Sequence, residues 1–137
     1  MAHSERSLRL IFADDNASFR RALRGLLELV PHLDIVGEAV DGDEAVRLVE
    51  STPADVVLLD VEMPRLDGIS AAERIRSSQP QPQILVHSAT VSDRTRSRAA
   101  TLGLAVLDKS RLGETINLIE RIAAAREPSP SGSSSPA

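Results

Sequence analysis

Short apolar runs alternate with longer amphipathic stretches along this chain. LRLIFA, Leu8 to Ala13, reads as a strand. After it Phe19, Ala22, Leu23, Leu26, Leu27 and Val30 recur at helical spacing, and Pro31 is expected to end that helix. DIVGEA, Asp34 to Ala39, predicts a second, short strand. Asp41 followed by Glu44 has the spacing of a capping box, opening a helix that runs to about Glu50. VVLLD, Val56 to Asp60, is the most apolar run and shows no alternation, the pattern of a parallel strand covered on both faces. VEMPRLDG reads as a loop punctuated by Pro64 and Gly68, and Ile69, Ala72 and Ile75 mark a third helix. QILVHS, Gln83 to Ser88, is a fourth strand and LAVL, Leu104 to Leu107, a fifth, with a helix from about Ser92 to Thr101 between them. The last helix starts after Ser110 and turns Leu112, Ile116, Ile119 and Ala123 inward.

Strand-then-helix units in series predict an α/β fold with a doubly wound five-stranded parallel sheet, flavodoxin-like, in the order 2-1-3-4-5. Right-handed crossovers then place helices on both faces. One domain is expected over residues 8–126, with a flexible N-terminus over 1–7. The Pro/Ser-rich stretch over 127–137 has nothing to bury and reads as a disordered tail.

Composition removes several function classes. The only aromatic residues are Phe12 and Phe19, too few to stack nucleobases. The net charge of -4 provides no general attraction to nucleic acid or anionic lipid. Absence of cysteine excludes disulfides, thiolate catalysis and Cys-rich zinc sites. No secretory apolar segment or membrane-length run occurs, so a cytoplasmic location is expected, with no membrane partner and no direct nucleic-acid partner.

The polar residues at the strand ends carry the chemistry. Asp14 and Asp15 follow the first strand, Asp60 ends the third, Ser88 ends the fourth and Lys109 follows the fifth. In open α/β sheets, ligands bind at the carboxyl ends of the strands where the strand order reverses. In this order the reversal lies between strands one and three, where Asp14, Asp15 and Asp60 are expected to meet. Converging carboxylates repel, so either one takes a proton or a cation joins them. Oxygen-only donors favour a hard ion such as Mg²⁺. Lys109 is the only lysine among 16 basic residues. A compact ammonium suits a phosphoryl oxygen, whereas a forked guanidinium would pair with and lock a carboxylate. Taken singly, each Asp also fits a helix cap or a turn.

These segments together resemble the response-regulator receiver domain of two-component signalling. The resemblance rests on FADDN at Phe12 to Asn16, VVLLDVEMPRLDG at Val56 to Gly68, HSA at His87 to Ala89 and DKS at Asp108 to Ser110. It covers about Leu8 to Ala125, and its wording is most similar to receivers that precede helix-turn-helix output domains. No such output domain follows in this sequence. The resemblance implies that Asp60 is the phosphoacceptor, taking a phosphoryl group from a sensor histidine kinase or histidine phosphotransfer protein. Asp15, Asp60 and the backbone carbonyl of Glu62 would hold Mg²⁺, with Asp14 assisting. Ser88, the Ala89 N–H and Lys109 would bind the phosphoryl oxygens. The protein would then be no enzyme beyond phosphoryl transfer to, and hydrolysis from, its own Asp60. A downstream target or a homodimer would use the face of helix four, strand five and helix five.

Two positions depart from the family pattern. Val106 stands where receivers usually carry a switch aromatic, three residues before the lysine, and Ser88 stands where they often have Thr. The switch would therefore rest on Ser88 and Val106. The predicted fourth helix is poor in apolar residues and carries Arg94, Arg96 and Arg98, which reads either as a solvated face or as a loosely anchored helix facing an acidic partner. His87 is expected on the strand face opposite Ser88, as a satisfied structural histidine rather than a phosphoryl carrier. Glu62 and Thr90 are expected to flank the water path to Asp60. The competing classes are a pseudo-receiver that binds a partner without phosphorylation, a flavodoxin-like electron carrier, and a haloacid-dehalogenase-type hydrolase. DDNAS is too acidic for the FMN phosphate of the second, and no Asp-x-Asp after strand one serves the third.

Overall fold

The computed structural model of the protein describes residues 7–126. The readings for residues 1–6 and 127–137 lie outside them. Strands β1 (Leu8–Ala13), β2 (Leu33–Ala39), β3 (Val56–Asp60), β4 (Gln83–Ser88) and β5 (Val106–Asp108) form one sheet in the order β2-β1-β3-β4-β5, every pairing parallel. Helices α1 (Ala17–Leu27), α2 (Gly42–Ser51), α3 (Gly68–Ile75), α4 (Asp93–Ala100) and α5 (Leu112–Arg126) follow in turn, and a 3₁₀ turn at Lys109–Arg111 leads into α5. The doubly wound order predicted from the sequence is the one observed.

Strand alternation divides the core in two. Leu10 and Phe12 of β1, with Val56 and Leu58 of β3, pack against Leu23 and Leu27 of α1 and Ile119 and Ala123 of α5. Ile11 and Ala13, with Val57 and Leu59, face Ala45 and Val46 of α2, Ala72 and Ile75 of α3 and Ala99 of α4. All five residues of β3 are buried, as its unbroken apolar run requires of a central strand.

Local chemistry sets the element ends. Asn16, Asp41, Asp67 and Ser92 cap α1 to α4, each side chain accepting a backbone N–H three residues on. The predicted capping box is present with a small shift, since Glu44 accepts the N–H of Val40, one residue before the cap. Two boundaries differ from the pattern reading by more than one residue. Helix α1 stops at Leu27; tighter bonds from Leu29 to Leu26 and from Val30 to Leu27 replace its last turn as the chain approaches Pro31, yet Val30 stays buried. Strand β5 begins at Val106 rather than Leu104 because Leu104 is used to close α4. Its N–H donates to Ala99, the N–H of Gly103 donates to Ala100, and Gly103 takes the left-handed φ of 73° that a Schellman end demands.

Gly68 positions the site. A Cβ there would collide with the backbone carbonyl of Asp60, so only glycine lets α3 start against the end of β3. The Gly68 N–H then donates to the carbonyl of Val61 at 3.0 Å.

Candidate functional site

Alternation along the strands brings the chemistry to one place. Asp14 continues the Leu10, Phe12 parity of β1, Asp60 continues Val56 and Leu58 of β3, and His87 continues Leu85 of β4. These three side chains share the α1/α5 side of the sheet's carboxyl edge, and their potential ligand atoms lie within 4.8 Å of one another. Asp14 and His87 are 0% exposed and Asp60 2%. Lys109 reaches over them from the turn after β5. Its Nζ donates to Asp14 Oδ2 at 2.7 Å and to Asp60 Oδ2 at 3.4 Å, and lies 4.1 Å from the centre of the Phe19 ring.

Backbone donors hold both acids. The N–H of Asn16 donates to Asp14 Oδ1 at 2.9 Å, and the N–H of Glu62 to Asp60 Oδ1 at 3.2 Å. Arg20 fixes the loop after β1 by donating to the Asp14 carbonyl at 2.8 Å. Asp15, one residue off the parity, is exposed and outside the Asp14, Asp60, His87 group. The predicted meeting of three carboxylates is therefore a buried pair with Asp15 on the adjoining loop.

The electrostatics follow from burial and from one ammonium between two acids. Burial pushes Asp60 up to about 7, and the charge of Asp14 adds to the rise; Lys109 and the Glu62 N–H oppose it, while the Glu62 carboxylate adds a little more. Burial draws Lys109 down, but its hydrogen bond to Asp14 and the charge of Asp60 outweigh this and hold it above its ordinary value. Burial and then the Lys109 charge push His87 down to about 4, so it is neutral at pH 7. Its 3.9 Å approach to Asp14 is then no ion pair.

His87 corrects the sequence reading. Alternation does set it on the face opposite Ser88, but that is the face of Asp14 and Asp60. Nor is it satisfied: among the described residues neither ring nitrogen has a hydrogen-bond partner. Its ring instead meets Phe19 edge-on, 5.6 Å between centroids.

Ser88 is fully buried and already engaged. Its Oγ lies 2.6 Å from Glu62 Oε2 and 2.7 Å from the Thr90 carbonyl, and it accepts the Thr90 N–H at 3.1 Å. Val106 is half-buried against the α2/α3/α4 core. The sequence pattern marks Phe19 only as a core residue, and the family resemblance marks Glu62 as a backbone ligand beside a water path. The fact that Phe19 is one of two aromatics in the chain was the available signal for the first. Helix α4, thinly packed through Ala99, is tied to α3 because Arg98 donates to both carboxylate oxygens of Asp67, at 3.0 and 3.2 Å.

A cleft of about 770 Å³ opens at the other end of the strands, lined in part by Arg9, Asp55 and Arg126. Two of its arginines pair with one acid, Arg9 with Asp55 at 3.1 Å and Arg126 with Asp55 at 3.5 Å. The unpartnered ring nitrogens of His87 are at the carboxyl edge. Among the described residues no helix is long and apolar enough to cross a membrane.

Comparison with known proteins agrees with this geometry. A protein-glutamate methylesterase/protein-glutamine glutaminase of Pseudoalteromonas atlantica is 36% identical over 119 residues, 87% of this chain but 30% of that protein. The chain thus spans about a third of the length of such relatives. A two-component response regulator of the LuxR family from Aurantimonas sp. SI85-9A1 superposes with a TM-score of 0.77 at 31% identity, covering 88% of each chain. The response regulator domain of Thermotoga maritima CheB gives 0.75 at 27% identity over 88% of this chain and 96% of that one. The response regulator receiver domain family matches residues 10–117, and with the acid pair, the lysine and the 2-1-3-4-5 sheet in place, the chain belongs to that family.

Proposed function

We propose that this domain is a phosphoacceptor switch whose Asp60 takes a phosphoryl group from a phosphohistidine on a sensor kinase or phosphotransfer protein. The observation that carries the reading is Lys109 Nζ seated between the buried carboxylates of Asp14 and Asp60. An Asp60 oxygen attacks phosphorus as the P–N bond to histidine breaks, and the proton needed by the leaving imidazole comes from the donor's side. Lys109, freed from Asp60, stabilises charge on the transferring group, so the protein supplies position and electrostatics. The oxygen donors suit a hard divalent cation: the buried carboxylates of Asp14 and Asp60, with Asp15 and the Glu62 carbonyl on the adjoining loops, around a carboxylate whose charge the fold opposes, while the neutral His87 ring beside the two acids brings no competing charge. Mg²⁺ held there would neutralise charge on the phosphoryl oxygens. Signalling would pass to a protein target or a second copy through α4, β5 and α5, where Arg94 and Arg96 are exposed.

Intact-mass measurement after incubation with acetyl phosphate tests this. The expected result is a Mg²⁺-dependent gain of one phosphoryl group that Asp60→Asn abolishes. A folded protein that gains none from acetyl phosphate or from a phosphorylated kinase would be a pseudo-receiver.

A further inference from the structure

Resting on the phosphoacceptor reading, we infer that Glu62 is a latch, a positioning residue that holds the Ser88 hydroxyl away from Asp60 until a phosphoryl group competes for it. A serine hydroxyl has one proton to donate. Here two acceptors claim it, the Glu62 carboxylate at 2.6 Å and the Thr90 carbonyl at 2.7 Å, while the Thr90 N–H occupies a lone pair. Among the described residues no hydrogen bond joins Ser88 to Asp60. For Ser88 to donate to a phosphoryl oxygen, its proton must leave both the Glu62 carboxylate and the Thr90 carbonyl, and the charged acceptor is the stronger competitor.

The placement of Glu62 suits a reversible latch. Its own N–H is pinned to Asp60 at 3.2 Å, so the side chain springs from a fixed point beside the acceptor. The N–H of Val61 donates to the His87 carbonyl at 2.8 Å, which sets residue 62 alongside Ser88. The bond is short and its acceptor is a carboxylate, the stronger class of hydrogen bond. Glu62 is nevertheless exposed, so once released its carboxylate turns into water without a burial cost. A phosphoryl oxygen and a carboxylate seek the same proton, and the latch makes the two states mutually exclusive.

Beryllofluoride with Mg²⁺, a phosphoryl mimic that needs no turnover, provides the test. Its binding is titrated on wild type, Glu62→Gln, Glu62→Ala, Ser88→Ala and the Glu62→Ala/Ser88→Ala double variant, followed by amide resonances. Removing the latch is expected to tighten binding about tenfold in Glu62→Ala, the scale of one charge-assisted bond, and less in Glu62→Gln. In the Ser88→Ala background the Glu62 change should have a much smaller effect, that of its charge alone. Without any ligand, the Thr90 amide of Glu62→Ala should already move toward its beryllofluoride-bound position, a readout that needs no Ser88 variant. Equal tightening with and without Ser88 would mean that Glu62 acts only as a nearby negative charge and would overturn the latch. No tightening, or an unmoved Thr90 amide, would overturn it as well. A wild type that takes up no beryllofluoride would instead remove the phosphoacceptor reading on which the latch rests.

Discussion

Replacing Asp60 with Asn removes a charge that the fold opposes, and the size of that opposition follows from the site. Asp60 titrates at about 7 in the folded protein against an ordinary 3.8, chiefly through burial and secondly through Asp14. Between those values the folded state holds one more proton than the unfolded chain, so stability falls by about 1.4 kcal/mol per pH unit as pH rises. The contribution is fully present below pH 3.8 and lost as pH passes through 7. Across the window this approaches about 4 kcal/mol, and relaxation and water entry around a buried charge reduce it to about 2 kcal/mol. Asp60→Asn is therefore expected to be more stable than wild type at pH 8 by about 2 kcal/mol, about 6–10 °C in Tm for a domain of this size. By pH 5.5 about half of the gain should remain. Thermal unfolding with a chelator at the two pH values measures it. A gain equal at both, or a loss at pH 8, would refute the assignment of the strain to the Asp60 charge.

His87 has the opposite sign. Held at about 4 rather than 6.5, its contribution is present above pH 6.5 and lost as pH falls through 4. Urea titrations should find wild type nearly flat between those values, stability of His87→Asn falling as pH rises, and stability of Asp60→Asn rising with it. Gly68→Ala drives a methyl into the Asp60 carbonyl, so a loss of about 2–3 kcal/mol is expected by urea denaturation, along with slower phosphorylation from acetyl phosphate. Arg98→Ala cuts α4 from Asp67, and hydrogen exchange across α4 should quicken about fivefold while α5 is unchanged, a loss of about 1 kcal/mol in the local opening free energy of α4.

The sheet order and the place of the site were legible because period and punctuation agree: apolar runs ending in Asp, Ser or Lys, each followed by a helical repeat. Parity carried further than the sequence reading took it. Counting alternate residues from Leu10, Val56 and Leu85 reaches Asp14, Asp60 and His87, so His87's place beside the acids was countable once these strands were named. The same count leaves Asp15 out. Other features depend on neighbours that no local pattern names. The Glu62–Ser88 bond exists because β3 and β4 are adjacent and the Val61 N–H is fixed to the His87 carbonyl. The start of β5 departs from the pattern because Leu104 is apolar like a strand residue, while its N–H is needed by the end of α4.

Lysine at position 109 makes sense as a requirement of exchange between two states. In the resting site its ammonium faces two carboxylates unequally, 2.7 Å from Asp14 and 3.4 Å from Asp60, with the Phe19 ring beneath it. A guanidinium could fork across both acids and would bind them more firmly. That firmness would work against the proposed reaction, because Asp60 must be released to attack phosphorus. Neutral His87 adds no positive charge to the set. Conversion of Asp60 to an acyl phosphate then leaves Asp14 and a more negative group to share one ammonium in a buried site. Lys109 cannot balance both, and that deficit is the physical ground for expecting phosphorylation to depend on a divalent cation. The 3.4 Å bond is thus the weak link that the proposed reaction needs, and a single compact charge on a flexible stem can release one oxygen and take another without leaving Asp14 bare.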